Sequence, residues 1–284
     1  MFRIELDIYS GRPNPSWVLD EAEGSELVER LRAEPRMMGA VNDVTLGLGY
    51  RGYIVTALSE GGSWQRAGLP SQFRVIGKGG IDIDASASWL LGTREVEIGE
   101  PTERIAQGAI EGHAKEPPPE VQPMAAPTCP IMQLTSDTDF SFWNNGSVQP
   151  FNNCYNFAAN YRTDTFAQPG RRGGYTLPPA SQLTCSNTMT GVTRDNWSTT
   201  CGLGPLRNLV ICLVVAPGAD FHFYRLCANG HWCHKPGSTP ARNTDNSGNW
   251  ITDPQFANRG PYTSLCGYRM GLVGTGTGNG FVVA

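Results

Sequence analysis

The stretch "DFHFYRLCANGHWCHKPG", from Asp220 to Gly237, decides how the second half of this chain folds. It holds three of the four histidines and two of the eight cysteines of the chain. Apolar and polar residues alternate before the turn signal "ANG", and this two-residue period predicts a β-hairpin. The continuous apolar run "LVICLVVAP", from Leu209 to Pro217, precedes it and predicts a buried strand of the same sheet.

The length of the hairpin loop determines which side chains share a face of the sheet. A two-residue loop at positions 229–230 would place His222 and His234 on opposite faces. A three-residue loop at positions 228–230 pairs position 224 with 234 and places both histidines on one face, close enough for a ring-to-ring hydrogen bond. Because Gly230 is suited to the left-handed third position of such a loop, we predict the second register.

Composition limits the class of protein. The chain has 284 residues, of which 39% are hydrophobic and 17% charged, with 34 Gly and 21 Pro, which indicates a globular protein with many turns and short strands. The opening "MFRIELDIYS" alternates and is unlike a secretory signal, so we expect a cytoplasmic protein or one exported by a route without such a signal. No apolar stretch approaches the roughly 20 residues that a bilayer requires, which predicts no membrane span.

Charge and cysteine content divide the chain into two parts. Residues 1–128 carry 12 Lys and Arg against 19 Asp and Glu, a net charge of −7, and residues 129–284 carry 10 against 7, a net charge of +3. All eight cysteines lie in the second part, and the Pro-rich stretch at 111–128 is typical of a linker. We predict a small domain at 1–110, a linker at 111–128 and a second domain at 129–284. Neither part has a basic stripe dense enough for nucleic acid, but their opposite charges favour intramolecular docking of the acidic N-terminal domain.

The first domain is predicted to be a small α+β fold. Apolar residues alternate from Phe2 to Ile8 as in a half-buried strand, and Asp20 is placed to cap a helix that extends to about Glu34. "GYIVTAL" and "FRVIG" predict further strands, and "ASASWLLG" predicts a short helix. The segment "SGRPNPSW" resembles openings of uncharacterised bacterial proteins and indicates no chemistry.

The stretch "QPFNNCYNFAANYR" holds a candidate nucleophile. Asn152 or Asn153 is a suitable N-cap, which places Cys154 in the first turn of a helix, where free backbone N–H groups and the helix dipole lower a thiol pKa. The backbone N–H of Cys154, with the side-chain amide of Gln149 or Asn153, is a candidate oxyanion hole. In the alternative interpretation, Cys154 is a buried small apolar residue or half of a disulfide.

A cysteine at a helix start, followed by a histidine on a strand and a second polar residue on the next strand, resembles the papain-like NlpC/P60 peptidase and amidase superfamily. The resemblance covers roughly residues 150–270, although "NC" and "HFYRL" stand where that superfamily commonly has "DC" and "HVGIY". It implies an α+β fold with the nucleophile helix packed on an antiparallel sheet. It also implies that Cys154 is the nucleophile, His222 the base, and His234 the residue that orients the base.

On this basis we predict a bacterial cysteine hydrolase that cleaves peptide or amide bonds through a thioester on Cys154, without cofactor or metal. Arg171 and Arg172, in the turn that follows the nucleophile helix, are candidate substrate-binding residues. Two alternatives stay open. One is an acyl or amide transferase of the same fold class, and the other is a non-enzymatic, disulfide-stabilised binding or toxin module.

The non-enzymatic alternative requires disulfides, for which Cys185 with Cys201, or Cys129 with Cys266, are candidate pairs. Eight is an even number, so a free Cys154 requires a second unpaired cysteine. The hairpin pair at 227 and 233 is expected to be slightly too far apart for an unstrained bridge. A zinc site made from that pair with His231 and His234 is disfavoured, because its ligands would crowd one hairpin and alternate between its faces.

Overall fold

The computed structural model describes residues 1–41, 47–58, 63–76, 81–112, 124–202 and 208–272. The chain forms two compact units, the first made of Met1–Ile8 and Asn14–Lys115, the second of Tyr9–Pro13 and Glu116–Ala284. Tyr9–Pro13 therefore belongs with the second half of the chain, which the sequence pattern does not indicate. Most of the predicted linker, residues 113–123, lies outside the described residues. Each unit contains an antiparallel sheet with helices, so the α+β class is confirmed at this level.

The first unit is built on an antiparallel sheet with the strand order β2-β1-β4-β5-β3. The side chains of Phe2, Ile4 and Leu6 are buried, as their alternation predicts. The strands are β1 (Phe2–Leu6), β2 (Ser16–Val18), β3 (Met38–Gly39), β4 (Tyr53–Ala57) and β5 (Gln72–Val75).

The helices of the first unit follow the local signals in the sequence. Asp20 caps the first helix and accepts a hydrogen bond from the backbone N–H of Glu23, as predicted. The helices are α1 (Glu21–Ala33), α2 (Ser63–Arg66), α3 (Ile81–Gly92) and α4 (Glu100–Ile110).

One buried acid joins two strands of the first unit. Asp7 follows β1 and accepts hydrogen bonds from Arg51 at 2.6 Å and from Arg74, on β5, at 2.7 Å. Burial opposes ionisation of Asp7, but the two guanidinium groups outweigh it and lower the pKa of the carboxyl to about 2. The carboxylate of Asp7 is thus shared by two buried guanidinium groups, and the cluster carries a net charge of +1.

The second unit is built on a sheet with the strand order β8-β7-β6-β9. Tyr224 pairs with His234, and Gly230 has a φ of 83°, so the predicted three-residue loop and its register are confirmed. The predicted buried strand is also confirmed as β6. The elements are α5 (Cys154–Ala158), α6 (Cys185–Arg194), β6 (Asn208–Ala216), β7 (Asp220–Leu226), β8 (Trp232–His234) and β9 (Ser264–Leu272).

The two faces of this second sheet pack against different parts of the chain. One face joins α5 and α6 in an apolar core that includes Leu213, Phe221 and Phe223. The other face is covered by residues 241–262, which we call the cover segment. Backbone hydrogen bonds hold the cover segment to β8, from Trp232 N–H to the Ile251 carbonyl and between 234 and 242 in both directions.

Three disulfides stabilise the second unit, and their pairing differs from both candidates named above. Cys129 pairs with Cys201, because the segments that follow these two cysteines both hydrogen-bond to Asn208. Cys185 of α6 pairs with Cys266 of β9. The hairpin cysteines, which were expected to lie slightly too far apart for an unstrained bridge, also form a disulfide, Cys227–Cys233, with Cα atoms 6.3 Å apart. The remaining two cysteines, Cys154 and Cys212, are free and buried.

In the parts of the chain that the structure describes, no helix combines the length and the apolar character that are needed to cross a membrane.

The disulfides should contribute to stability according to the length of the loop that each closes. Cys185–Cys266 spans 81 residues and Cys227–Cys233 spans 6. Replacing both cysteines of a pair by Ser should lower the free energy of unfolding by about 4.5 kcal/mol for the first pair and about 2 kcal/mol for the second, because a longer closed loop restricts the unfolded chain more. Urea unfolding without reductant measures both values. An equal or reversed order would contradict the loop-entropy explanation.

Candidate functional site

Of the two candidate N-caps, Asn152 and Asn153, the structure selects Asn153, and the predicted helix start at Cys154 is confirmed. Asn153 Oδ1 accepts hydrogen bonds from the backbone N–H groups of Tyr155 at 3.0 Å and Asn156 at 3.1 Å. Its Nδ2 donates to the carbonyls of Gly11 at 2.7 Å and Ala167 at 2.8 Å. Since both amide hydrogens are bound to the protein itself, this side chain has no donor left for an oxyanion.

The candidate nucleophile, Cys154, is fully buried in the apolar core of the second unit. Its Sγ lies 4.0 Å from the Phe221 carbonyl oxygen. Burial raises the pKa of this thiol well above its usual value, and the nearby Asp220 adds to the shift. The expected lowering of its pKa is therefore wrong, because desolvation outweighs the short five-residue helix.

The two histidines of the hairpin form a buried, hydrogen-bonded pair. His222 Nε2 lies 2.9 Å from His234 Nδ1, and His234 Nε2 lies 3.0 Å from the Thr244 carbonyl oxygen. Because a carbonyl only accepts, His234 donates from Nε2, and in its neutral form it accepts at Nδ1 from His222. Burial, aided by the charge of Arg242, lowers the pKa of His234 to about 3, which keeps that ring neutral.

The structure places this histidine pair on the face of the sheet opposite Cys154. Phe221 and Phe223 contact each other with ring centroids 5.7 Å apart, and Phe223 stacks on Tyr155 of α5 at 4.6 Å. Both phenylalanines share the core cluster of Cys154. His222 lies between them on β7, and successive side chains of a strand point to opposite faces. The candidate base therefore points away from the candidate nucleophile.

The remaining predicted site residues have structural or solvated positions. Gln149 donates from Nε2 to the Ser238 carbonyl at 3.1 Å, and its own carbonyl accepts from Lys235. Arg171 and Arg172 are exposed in a turn. None of these positions converges with Cys154 on a common cleft in the described residues.

Buried charges that the sequence analysis missed hold α5 in place. Arg225 donates to the Phe157 carbonyl at 2.8 Å and to Asp137 at 3.2 Å, and burial lowers the pKa of its guanidinium to about 10. Asp195 accepts from the Tyr155 hydroxyl at 2.9 Å. The available signal was that Arg225 has the same parity as Phe221 and Phe223, which places a charged residue on the apolar face of β7, where it requires partners.

Two further buried charges join distant segments. Lys235 donates to the carbonyls of Gln149 at 2.5 Å, Asn152 at 2.5 Å and Gly237 at 2.6 Å. Asp220 accepts from the Ser10 backbone N–H at 2.5 Å, from the Gly11 N–H and from the Tyr262 hydroxyl. A Cβ at Gly11 would lie 2.3 Å from the Phe221 ring, so this contact requires glycine.

The described residues contain no cluster of three or more His, Cys, Asp or Glu side chains suited to a metal ion. The zinc set that the sequence disfavours also lacks the ligands it would need. Cys227 and Cys233 are bonded to each other, and a disulfide sulfur is not the thiolate that zinc requires.

The chain is 45% identical over 131 residues to insoluble matrix shell protein 1 of the mollusc Ruditapes philippinarum. The match covers 44% of this chain and 83% of the relative. The chain belongs to the family of this shell matrix protein. No protein-family model and no solved structure matches the chain.

This relationship overturns the main functional prediction. A relative that is a molluscan shell matrix protein contradicts a bacterial cysteine peptidase, and with it the hydrolase and the transferase of the same fold class. The three disulfides support the non-enzymatic alternative. The assigned roles of Cys154, His222 and His234 as nucleophile, base and orienting residue are withdrawn with the reaction, as is the predicted peptide or amide substrate.

Native-state alkylation tests the burial of the free thiols. We expect Cys154 and Cys212 to resist iodoacetamide at pH 7 and to react only after denaturation, because burial raises the pKa of each thiol and blocks access. Mass spectrometry of native and denatured samples without reductant measures both sites. Rapid labelling of Cys154 in the native chain would contradict the buried arrangement.

The histidine pair should make stability depend on pH. The pKa of His234 is about 3 in the folded chain and about 6.5 when unfolded, so the unfolded state binds the extra proton between these values. The contribution of His234 to the free energy of unfolding has its full value above about pH 6.5. It falls by about 1.4 kcal/mol per pH unit as the pH is lowered below that value. His234→Gln should remove this slope in urea unfolding between pH 6 and 4. His231→Gln, a change at the hairpin loop, is the matched control and should keep the slope.

Proposed function

We propose that this chain is a non-enzymatic structural protein of an insoluble extracellular matrix. Its membership in the family of a shell matrix protein supports this role and is the single observation that carries it. The second unit then acts as a rigid, disulfide-stabilised module that interacts with other matrix components.

The disulfides agree with such a location. Cysteine pairs persist in oxidising, extracellular environments and are rare in the cytosol. Six of the eight cysteines are paired, and both free thiols are buried, so no described cysteine is left exposed to exchange with other chains. Of the two locations left open by the sequence, cytoplasmic or exported, this chemistry favours export.

The papain-like layout remains a proposal about architecture alone. In support, a short helix that begins at Cys154 packs against an antiparallel sheet whose neighbouring strands carry His222 and His234. We propose that the second unit uses this layout as a scaffold. In it the histidine pair is a hydrogen-bonded link between the hairpin and the cover segment.

Exposed aromatic side chains on the cover segment are candidates for contact with the matrix. Trp250 is 58% exposed and Phe256 is 70% exposed, whereas most aromatic residues of this unit are buried. Large apolar side chains that stay exposed often mark interaction surfaces. Trp250 also contacts the ring of His231 at a centroid distance of 4.7 Å, which holds it against the hairpin.

Sequential extraction of the matrix tests the proposal. A structural matrix protein should stay in the insoluble residue through neutral buffer and chelator and be released by denaturant with reductant, as followed by mass spectrometry of each fraction. Complete recovery in neutral buffer would contradict the matrix role.

Recombinant chain added back to the stripped matrix gives a second readout. Cys154→Ala should be retained as well as the wild type, because no reaction at this thiol is involved. Trp250→Ser with Phe256→Ser should reduce retention several-fold, whereas Tyr161→Ser, another exposed aromatic residue, is the matched control. Loss of retention in Cys154→Ala with an intact fold would argue against a purely structural role.

A further inference from the structure

One buried charged side chain of the second unit lacks a hydrogen-bond partner in the part of the chain that the structure describes. Arg259, on the cover segment, is 2% exposed, and none of its guanidinium nitrogens has a hydrogen-bond partner among the described residues. Other buried arginines differ, since Arg225 has both carbonyl and carboxylate acceptors. A buried guanidinium whose N–H groups lack acceptors is strongly unfavourable, so the position calls for a hydrogen-bond acceptor.

The sheet beneath the cover segment presents a second buried hydrogen-bond donor, the Tyr224 hydroxyl, which has no partner in the described parts of the chain. Tyr224, Cys212 and Tyr268 form one row across β7, β6 and β9. Burial raises the pKa values of Tyr224 and Cys212, and the opposing charge of Arg259 does not reverse either shift. Both groups are therefore neutral and supply no counter-charge.

The nearby carboxylates are bound to other donors. Asp253 accepts from the Tyr268 hydroxyl at 2.7 Å and from Gln255 Nε2 at 2.7 Å. Asp245 accepts from backbone N–H groups of the cover segment, including those of Ser247 at 2.8 Å and 258 at 2.8 Å. Neither acid hydrogen-bonds to Arg259, so the guanidinium N–H groups have no acceptor among the described residues.

We propose that Arg259 and the Tyr224 hydroxyl bind a small inorganic anion between the second sheet and the cover segment. A guanidinium offers several N–H donors in one plane, and a tyrosine hydroxyl adds another, which together suit a halide or a single oxyanion. The bound anion accepts hydrogen bonds from both groups and links the cover segment to β7. This site is independent of the matrix role.

Thermal unfolding of the full chain at constant ionic strength tests the site. Replacing gluconate, a bulky organic anion, by chloride or by sulfate should raise the melting temperature of the wild type by about 2–4 °C with the anion that binds. Comparing the chloride and sulfate series distinguishes a halide site from an oxyanion site. Arg259→Met should abolish the rise, whereas Arg171→Met, a change at an exposed arginine, should retain it.

The Tyr224→Phe variant keeps the aromatic ring and removes the hydroxyl donor. We expect it to bind the anion about tenfold more weakly, which a salt titration of the melting temperature measures. A crystal grown with bromide should show the halide between Arg259 and Tyr224. An equal anion response in wild type and Arg259→Met, or water alone around the Arg259 nitrogens in the bromide crystal, would overturn the proposal.

Discussion

The two-residue period of strand β7 sorts its side chains into two chemically different layers, and the second unit depends on this separation. Phe221 and Phe223 point into the apolar core with α5, while His222 and Tyr224 point towards the cover segment. A shift of one residue would exchange the two sets and bury histidines against the helix. The three-residue hairpin loop then extends the same parity to His234 on β8.

Burial of polar groups around this sheet is balanced by specific partners. Lys235 donates to three carbonyls in two segments, 149–152 and Gly237, and Arg225 joins β7 to α5 and Asp137. Asp220 accepts hydrogen bonds from the Tyr262 hydroxyl and from backbone N–H groups of Tyr9–Pro13. Each charge links elements that are distant in sequence, which makes their arrangement specific as well as stable. Arg259 departs from this pattern, and its environment is the reason to expect a bound anion.

The local signals of a cysteine hydrolase are present without the arrangement that such chemistry needs. A capped helix start at Cys154 and a hydrogen-bonded histidine pair both exist, but a general base must lie within hydrogen-bond reach of the thiol proton. Here the sheet separates His222 from Cys154, and burial suppresses ionisation of the thiol. The same features serve a structural protein well, because a neutral His234 and a buried, protonated thiol are chemically inert. This agrees with the family relationship to a shell matrix protein.

The sequence by itself determined the features that depend on short-range geometry. Asp20 and Asn153 cap helices, Gly230 sets the hairpin register, and β6 is buried because it is continuously apolar. These follow from hydrogen bonds and periodicities within a few residues, which a single sequence displays. Only the tertiary structure decided the pairing of Cys129 with Cys201, the place of Tyr9–Pro13 in the second unit, and the face of the sheet on which α5 lies. Those outcomes depend on which distant surfaces bury each other most favourably, and residues far apart in the chain carry no local pattern that records their contact.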